Sequence, residues 1–175
     1  MKTLRTSLRI ALAASVAVLL GLVACAPEAK KVSVKDVGLR HQAPEFSLKD
    51  NTGKIVHLAD YKGKVVLLDF WATWCGPCNI EIPWFTEFEK KYGSRGFEVV
   101  GISMDEGGWK AITPFATRKN INYRILLGDD TTGDQYGGIE ALPTAFVIDR
   151  NGKIASVHVG LSPRKNFEDA IEQVL

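Results

Sequence analysis

Cysteine is scarce in this sequence, with three among 175 residues. Cys25 lies at the end of an apolar N-terminal run, so Cys75 and Cys78 are the only pair left for the folded part. Small exported domains that depend on disulfides carry several of them, and closing so short a loop removes little chain entropy. A disulfide-stapled scaffold is therefore excluded, and the Cys75–Cys78 pair needs another explanation.

The sequence also has no excess of basic residues beyond its first ten positions. The formal net charge is +2, and Lys2, Arg5 and Arg9 all precede the first acidic residue, Glu28. Beyond them, 19 basic side chains face 20 acidic ones, which is not the basic surface that binding to a phosphate backbone requires. We therefore exclude nucleic acid as a partner. Internal repeats are absent too, and the length suits one domain with a hydrophobic core.

The first 25 residues have the pattern of an export signal. Three basic residues precede the apolar run Ile10–Val23, which is short for a membrane span of roughly 20 residues. The run ends in Leu22-Val23-Ala24-Cys25, which resembles the lipobox of bacterial lipoproteins, where the cysteine becomes the lipidated first residue. We predict a signal peptide over residues 1–25, lipidation of Cys25, and a membrane-anchored domain in the cell envelope, facing the periplasm or the outer surface. A cleaved secretory signal and a retained anchor are the alternatives.

Residues 26–42 are polar and without a sustained period, which predicts a linker, and residues 43–175 form the predicted domain. Two short alternating segments around Asp50-Asn-Thr-Gly53 predict a hairpin, and Asn151-Gly152 predicts a second one. Apolar runs typical of buried strands, together with helical spacing, predict the remaining elements. The predicted strands are Val65–Trp71, Phe97–Met104, Tyr123–Leu127, Thr144–Asp149 and Ile154–Val159, and the helices are Cys78–Gly93 with a kink at Pro83, Trp109–Lys119, and one through Phe167 and Val174. This order predicts an α/β fold with a mixed central sheet and helices on both faces.

Cys75-Gly-Pro-Cys78 stands between a predicted strand and a predicted helix, a position suited to redox chemistry. Free amide N–H groups and the helix dipole stabilise a thiolate there. The spacing of three residues brings both sulfurs to one side of the first turn. Gly76 leaves room for a partner's sulfur, and Pro77 has no N–H that would lack a partner. We predict that Cys75 attacks and that Cys78, further into the helix, resolves the mixed disulfide.

Half of a zinc site is the main alternative for such a cysteine pair. Closing that site needs two more ligands, but His41, His57 and His158 are scattered and there is no second C-x-x-C. We therefore predict no metal and no cofactor, since the disulfide itself carries the electrons.

The segment Asp69-Phe-Trp-Ala-Thr-Trp-Cys-Gly-Pro-Cys78 resembles the thioredoxin active site. Glu81-Ile-Pro83, Leu142-Pro-Thr-Ala-Phe-Val-Ile-Asp149 and Asn151-Gly-Lys-Ile154 are similar to the TlpA/ResA branch, which comprises exported and usually membrane-tethered thiol–disulfide oxidoreductases. The resemblance covers about residues 43–175. It implies a thioredoxin fold with an N-terminal β-hairpin and a helix–strand insertion, here Trp109–Leu127. It also implies a monomer that reduces disulfides of exported proteins, among them apocytochromes c, and receives electrons from a membrane thiol donor.

Two carboxylates close to the cysteines are candidate proton carriers. Asp69 interrupts an apolar run, where desolvation would raise its pKa. The resemblance to the buried acid of thioredoxins implies that Asp69 accepts the proton of Cys78, with a structural, hydrogen-bonded aspartate as the alternative. Glu81 lies one turn after Cys78, and its spacing alone favours a solvated helix residue. Because the family carries a functional glutamate there, we predict that Glu81 influences thiol titration and holds a cysteine protonated.

The resemblance also implies a set of substrate-binding residues. In this superfamily the proline at the position of Pro143 is cis and faces the cysteines, and Leu142 before it offers backbone groups to an extended substrate. Trp71 is more often a core residue, although it also stands beside the cysteines. The predicted binding set is Trp74, Gly76, Pro77, Leu142 and Pro143. We interpret Tyr136, Phe146 and Asp105 as packing or loop residues.

Three other functions are alternatives. A disulfide-donating oxidant would use the same cysteines, although the Gly-Pro spacer and Asp69 resemble reducing thioredoxins. A thiol-dependent peroxidase would carry P-x-x-x-T-x-x-C, but Ala72 and Leu68 stand three and seven positions before Cys75. A copper-handling chaperone would use C-x-x-x-C with a distal histidine; His158 is available, but the spacer is one residue short.

Overall fold

A computed structural model describes residues 40–175 of the chain. The predicted signal peptide, the predicted lipidation site Cys25 and the predicted linker as far as residue 39 lie outside the described residues. Within residues 40–175, no helix is both long enough and apolar enough to cross a membrane.

Seven strands and four α-helices make up the described part of the chain. The strands are β1 (Ser47–Asp50), β2 (Ile55–His57), β3 (Val65–Trp71), β4 (Phe97–Ser103), β5 (Arg124–Leu127), β6 (Thr144–Ile148) and β7 (Ile154–Val159). The helices are α1 (Cys78–Tyr92), α2 (Trp109–Lys119), α3 (Asp130–Gln135) and α4 (Arg164–Glu172), with short 3₁₀ turns at Leu58–Tyr61 and Gly93–Arg95. These bounds confirm the predicted hairpins, strands and long helices to within a few residues.

The strands form one mixed sheet in the order β2-β1-β5-β4-β3-β6-β7. β3 pairs in parallel with β4 and antiparallel with β6, and all seven of its residues are buried. A continuous apolar strand suits this central place, because both of its faces are covered. The register sets Asp69 opposite Gly101 on one side and Ala145 on the other.

Alternating residues of β3 serve two different cores. Val65 and Leu67 belong to a cluster with Phe85 and Phe88 of α1 and with Phe167 of α4. On the opposite face, Val66, Leu68 and Phe70 belong to a cluster built mainly from the first hairpin, the turn after it and the loop that follows α3. The alternation follows from the period of two in a strand, and it places Asp69 and Trp71 on the face covered by α1.

The predictions from sequence missed helix α3. Its residues Asp130–Gln135 carry no apolar period, so helical spacing gives no signal there. Its start is fixed instead by Asp129, whose carboxylate accepts a hydrogen bond from the Thr132 amide at 2.7 Å. An aspartate before a polar helix start was the available signal, since such caps satisfy a free amide.

The start of the described chain contacts the turn between β6 and β7. The guanidinium of Arg40 donates to Asp149 at 2.9 Å, and the His41 carbonyl accepts from the Ile154 amide at 2.8 Å. Asp149 also accepts from the amides of Asn151 and Lys153, which closes the Asn-Gly turn. Residues 40–42, assigned to the linker from sequence, therefore contact the domain through this turn.

A side chain at position 101 would not fit beside the buried aromatic residues. A Cβ there would lie 2.8 Å from Nε1 of Trp71 and 3.3 Å from Cε2 of Tyr123, both of which are buried. We expect Gly101→Ala to lower the free energy of unfolding by about 1–3 kcal/mol, measured by urea denaturation, because the core must shift to accept the methyl group.

Gly93→Ala is the matched control. Gly93 has a φ of −53°, and a Cβ there would meet no atom within 4 Å. Its substitution should be neutral or slightly stabilising, because alanine loses less chain entropy on folding. Equal destabilisation by both substitutions would contradict the close contact at Gly101.

Candidate active site

The two cysteines lie where β3 passes into α1 and are joined by a disulfide, with a Cα–Cα distance of 5.3 Å. The backbone amide of Cys78 donates a hydrogen bond to Sγ of Cys75 at 3.2 Å. An amide at a helix start that already points at this sulfur stabilises negative charge on it in the reduced protein. The geometry therefore makes Cys75 the sulfur that ionises more readily.

Two hydrogen-bonded side chains hold the segment that carries Cys75. The carboxylate of Asp105 accepts from the amide of Thr73 at 2.9 Å, from its hydroxyl at 2.5 Å, and from the Ser103 hydroxyl at 2.7 Å. On the other side, the amide group of Asn79 donates to the Cys75 carbonyl at 2.9 Å. Asp105 was interpreted from sequence as a packing or loop residue, yet it fixes the loop before the cysteines. The available signal was its place just after β4, since parallel strands β3 and β4 end at the same edge of the sheet.

A surface groove of about 490 Å³ opens beside Cys75. One wall comes from the cysteine loop and the other from the end of β4 and the segment before β6. The lining residues are Trp74, Cys75, Gly76, Pro77, Met104, Ile139, Glu140, Ala141 and Leu142. Trp74 is 71% exposed at the rim, whereas the side chain of Trp71 is fully buried beneath the cysteines. Cys78 does not line the groove, so a partner reaches Cys75 first.

Four of the five predicted substrate-binding residues come together in this groove: Trp74, Gly76, Pro77 and Leu142. The fifth, Pro143, follows Leu142 through a cis peptide bond. The carbonyl of Pro143 accepts a hydrogen bond from the Gly160 amide at 2.8 Å, which ties this segment to the end of β7. The backbone of residues 139–142 therefore forms a fixed wall opposite the disulfide.

Asp69 is 1% exposed in the middle of β3, behind the start of α1. Its Oδ1 atom has no hydrogen-bond partner among residues 40–175. Burial raises the pKa of Asp69 well above its usual range, and the negative charge of Glu81 adds to this effect. A carboxyl group in such a place keeps its proton to a higher pH than an exposed aspartate does, and it is a stronger base once it is ionised.

Glu81 is equally buried, at 1% exposure. Its Oε1 atom accepts a hydrogen bond from the Ser162 amide at 2.9 Å, and its Oε2 atom has no partner in the described part of the chain. Burial raises the pKa of Glu81 to about 7, and the Ser162 amide opposes the shift. The solvated position that helical spacing alone favoured is therefore wrong, because the loop between β7 and α4 closes over this side of α1.

The three histidines do not lie with the cysteines in a group that could bind a metal ion. His41 and His57 are exposed, whereas His158 is buried, with its ring centroid 4.4 Å from that of Phe167 and Nε2 3.1 Å from the Ser156 hydroxyl. Burial lowers the pKa of His158 to about 4, so its ring is neutral at physiological pH. Residues 40–175 contain no group of three or more His, Cys, Asp or Glu side chains placed to hold a metal ion.

Comparison with known proteins agrees with this geometry. The AhpC/TSA family profile matches residues 39–157. Thioredoxin-like protein YneN of Bacillus subtilis is 35% identical over 80% of this chain and 84% of its own. Thiol-disulfide oxidoreductase ResA of Geobacillus thermodenitrificans is 33% identical over 79% of each chain. The crystal structure of a thiol:disulfide interchange protein of the thioredoxin family from Chlorobium tepidum superposes with a TM-score of 0.69 at 33% identity, covering 77% of this chain and 96% of that one. The predicted thioredoxin fold is thereby confirmed.

The protonation of Glu81 should make the stability of the protein depend on pH. Glu81 holds its proton more tightly in the folded protein than in the unfolded chain, where its ordinary pKa is 4.5. The stability that this difference contributes is full below pH 4.5 and is lost as the pH rises through 7. Glu81→Gln should remove this loss. Between about pH 5 and pH 8, the decrease in the free energy of unfolding, measured by urea denaturation, should therefore be about 1–3 kcal/mol smaller than in the wild type.

The control for this prediction is Glu106→Gln, which makes the same change of charge at an exposed position. It should leave the pH dependence of unfolding as it is in the wild type. A Glu81→Gln variant with the wild-type slope would show that Glu81 is ionised in the folded protein throughout this pH range.

Proposed function

This chain belongs to the AhpC/TSA family, and we propose that it reduces disulfides of exported proteins through the Cys75–Cys78 dithiol. It is a thiol–disulfide oxidoreductase, like the relatives that cover most of its length. The reducing direction is supported by the Gly-Pro spacer and by Asp69, which resemble those of reducing thioredoxins. The order of attack is supported by the different positions of the two sulfurs. Cys75 faces the groove, and its sulfur accepts a hydrogen bond from the Cys78 amide. Cys78 lies in the interior, with the carboxyl groups of Asp69 and Glu81 on the same side of the sheet.

The first step is attack by the Cys75 thiolate on a disulfide of the client protein. The client's S–S bond breaks, a mixed disulfide forms between Cys75 and one client sulfur, and the other client sulfur leaves as a thiolate. The Cys78 amide supports the attacking thiolate because it already points at Sγ of Cys75. An extended client segment fits the groove between Trp74 and the backbone of Leu142.

The second step releases the client and re-forms the disulfide that the structure contains. Cys78 gives its proton to the carboxylate of Asp69, and its thiolate attacks Sγ of Cys75 in the mixed disulfide. The Cys75–client bond breaks, and the client leaves with both of its sulfurs reduced. Two electrons have then moved from the protein dithiol to the client. Glu81 holds Cys78 in its thiol form until this step, because a nearby carboxylate disfavours a second negative charge.

The cellular setting belongs to the same proposal. The basic and apolar N-terminal residues and the lipobox-like Leu22–Cys25 support export, lipidation of Cys25 and tethering at the membrane of the cell envelope. In this proposal the tethered protein is a monomer. A membrane thiol donor would reduce the Cys75–Cys78 disulfide again after each cycle. Apocytochromes c, whose cysteines must be reduced before haem attachment, are the client class that the ResA resemblance favours.

The reduction potential of the Cys75–Cys78 pair tests the direction of the reaction. The full-length chain would be equilibrated in dithiothreitol and glutathione buffers, and its tryptophan fluorescence would be followed because Trp71 and Trp74 flank the disulfide. We expect a potential close to that of thioredoxin, about −270 mV. A value near that of DsbA, about −120 mV, would replace the reductase with a disulfide-donating oxidant.

Trapping tests the order of the two cysteines and identifies the client. Cys78→Ser should accumulate a mixed disulfide on Cys75 in the cell envelope, because the resolving sulfur is missing. Cys75→Ser is the matched control. Its remaining thiol, Cys78, is buried away from the groove, so this variant should accumulate at least tenfold less mixed disulfide. Equal trapping by the two variants, measured on non-reducing gels with mass spectrometry, would refute the assignment of Cys75 as the attacker.

A further inference from the structure

Six buried polar atoms on the α1 side of the sheet have no hydrogen-bond partner within residues 40–175. They are Oδ1 of Asp69, Nε1 of Trp71, Oε2 of Glu81 and the hydroxyls of Thr86, Tyr92 and Tyr123. Nearly all buried polar groups in proteins find a partner, because an unpaired one loses its hydration without compensation. Asp69 and Glu81 have roles in the proposed reaction, whereas Tyr123 has no role in it and belongs to none of the sequence motifs.

Gly101 brings Tyr123 to the side of the sheet where Asp69 lies. Asp69 and Gly101 are direct partners across β3 and β4, so both occupy the α1 face. The position that a Cβ of Gly101 would take lies 3.3 Å from Cε2 of Tyr123 and 2.8 Å from Nε1 of Trp71. The missing side chain thus lets the tyrosine ring and the indole of Trp71 both approach the backbone of β4. Tyr123 therefore approaches the sheet at Gly101, the register partner of Asp69. Burial raises the pKa of the Tyr123 hydroxyl, and the charge of Asp69 adds to this effect.

Within residues 40–175, the groups around Asp69 include no cation. The titratable groups that α1 contributes on this side are acids and a thiol. Glu81 acts electrostatically on Asp69, Glu89 acts on Tyr123, and Cys78 lies in the cluster that contains Trp71. The α1 face presents Gly101 from β4 and Ala145 from β6, and α2 and α4 contribute apolar side chains. His158 of β7 is neutral and packs against Phe167. Among these groups, the Tyr123 hydroxyl and the Trp71 indole are the unpaired donors.

We propose that Tyr123 is a positioning residue for Asp69, whose ionised carboxylate accepts a hydrogen bond from the Tyr123 hydroxyl, directly or through one water molecule. An unpaired donor and an unpaired acceptor then satisfy each other at the moment when Asp69 is charged. The bond stabilises the carboxylate without a counter-ion and prepares it to take the proton of Cys78. This catalytic consequence rests on the proposed function, whereas the pairing itself does not.

Tyr123→Phe tests the proposal, because it deletes the hydroxyl and keeps the packed ring. In the reduced full-length chain, labelled with ¹³C at aspartate carboxyl groups, NMR would follow the titration of Asp69. Losing a hydrogen bond to the ionised form should raise the titration midpoint of Asp69 by on the order of half to one pH unit. Below that midpoint, reduction of the model disulfide protein insulin should slow by about three- to tenfold.

Tyr61→Phe is the matched control, since Tyr61 is another buried tyrosine with an unpaired hydroxyl but belongs to the core on the opposite face. It should move neither the Asp69 midpoint nor the pH profile of insulin reduction. In an Asp69→Asn background, Tyr123→Phe should no longer change the pH profile.

Two results would overturn the proposal: an Asp69 midpoint that Tyr123→Phe leaves unchanged, or one that Tyr61→Phe moves by the same amount. The NMR titration needs no client, so it tests the pairing of Tyr123 with Asp69 independently of the proposed function. A shifted midpoint in a protein that cannot reduce disulfides would overturn the proposed function and support the pairing of Tyr123 with Asp69.

Discussion

Burial of a carboxyl group in the central strand is the constraint around which the active site is arranged. Asp69 takes a place in β3 that an apolar residue would fill at lower cost, since desolvation of a charged side chain is unfavourable. Mostly apolar side chains surround Asp69, and Glu81 is buried among them as well. These surroundings raise the pKa of both carboxyl groups, which in the proposed reaction suits Asp69 to accept the proton of Cys78 and Glu81 to keep that thiol protonated beforehand.

The position of β3 then determines where the chemistry takes place. Pairing on both sides fixes the strand, and its end delivers the cysteine loop to the edge of the sheet where β4 also ends. The hydrogen bonds of Asp105 to Thr73 and of Asn79 to Cys75 hold that loop against the framework. Thiol–disulfide exchange needs sulfurs aligned with the bond they attack, so a loop fixed at both ends serves the reaction better than a mobile one.

In the proposed reaction, the client and the proton acceptor Asp69 approach the disulfide from opposite sides. The groove between Trp74 and Leu142 opens on Cys75, while Cys78 belongs to the interior cluster that contains Trp71. A client bound in the groove would therefore meet Cys75, whereas the proposed transfer of a proton from Cys78 to Asp69 would take place inside the protein. This separation agrees with one sulfur that attacks and another that resolves.

Local sequence patterns by themselves determined much of this protein. The apolar run of β3, the helical spacing after Cys78, the Asn-Gly turn and the Cys-Gly-Pro-Cys segment depend on neighbours along the chain, and the structure has the predicted elements at those places. The burial of Glu81 was decided by tertiary structure, because the loop that carries Ser162 comes from 81 residues further along. The contact of Asp105 with Thr73 and the approach of Tyr123 to Gly101, the register partner of Asp69, also required the sheet order, with β4 between β3 and β5. Spacing along a chain predicts which residues share a face of one element, whereas the partners of a buried polar group come from whichever elements the fold sets beside it.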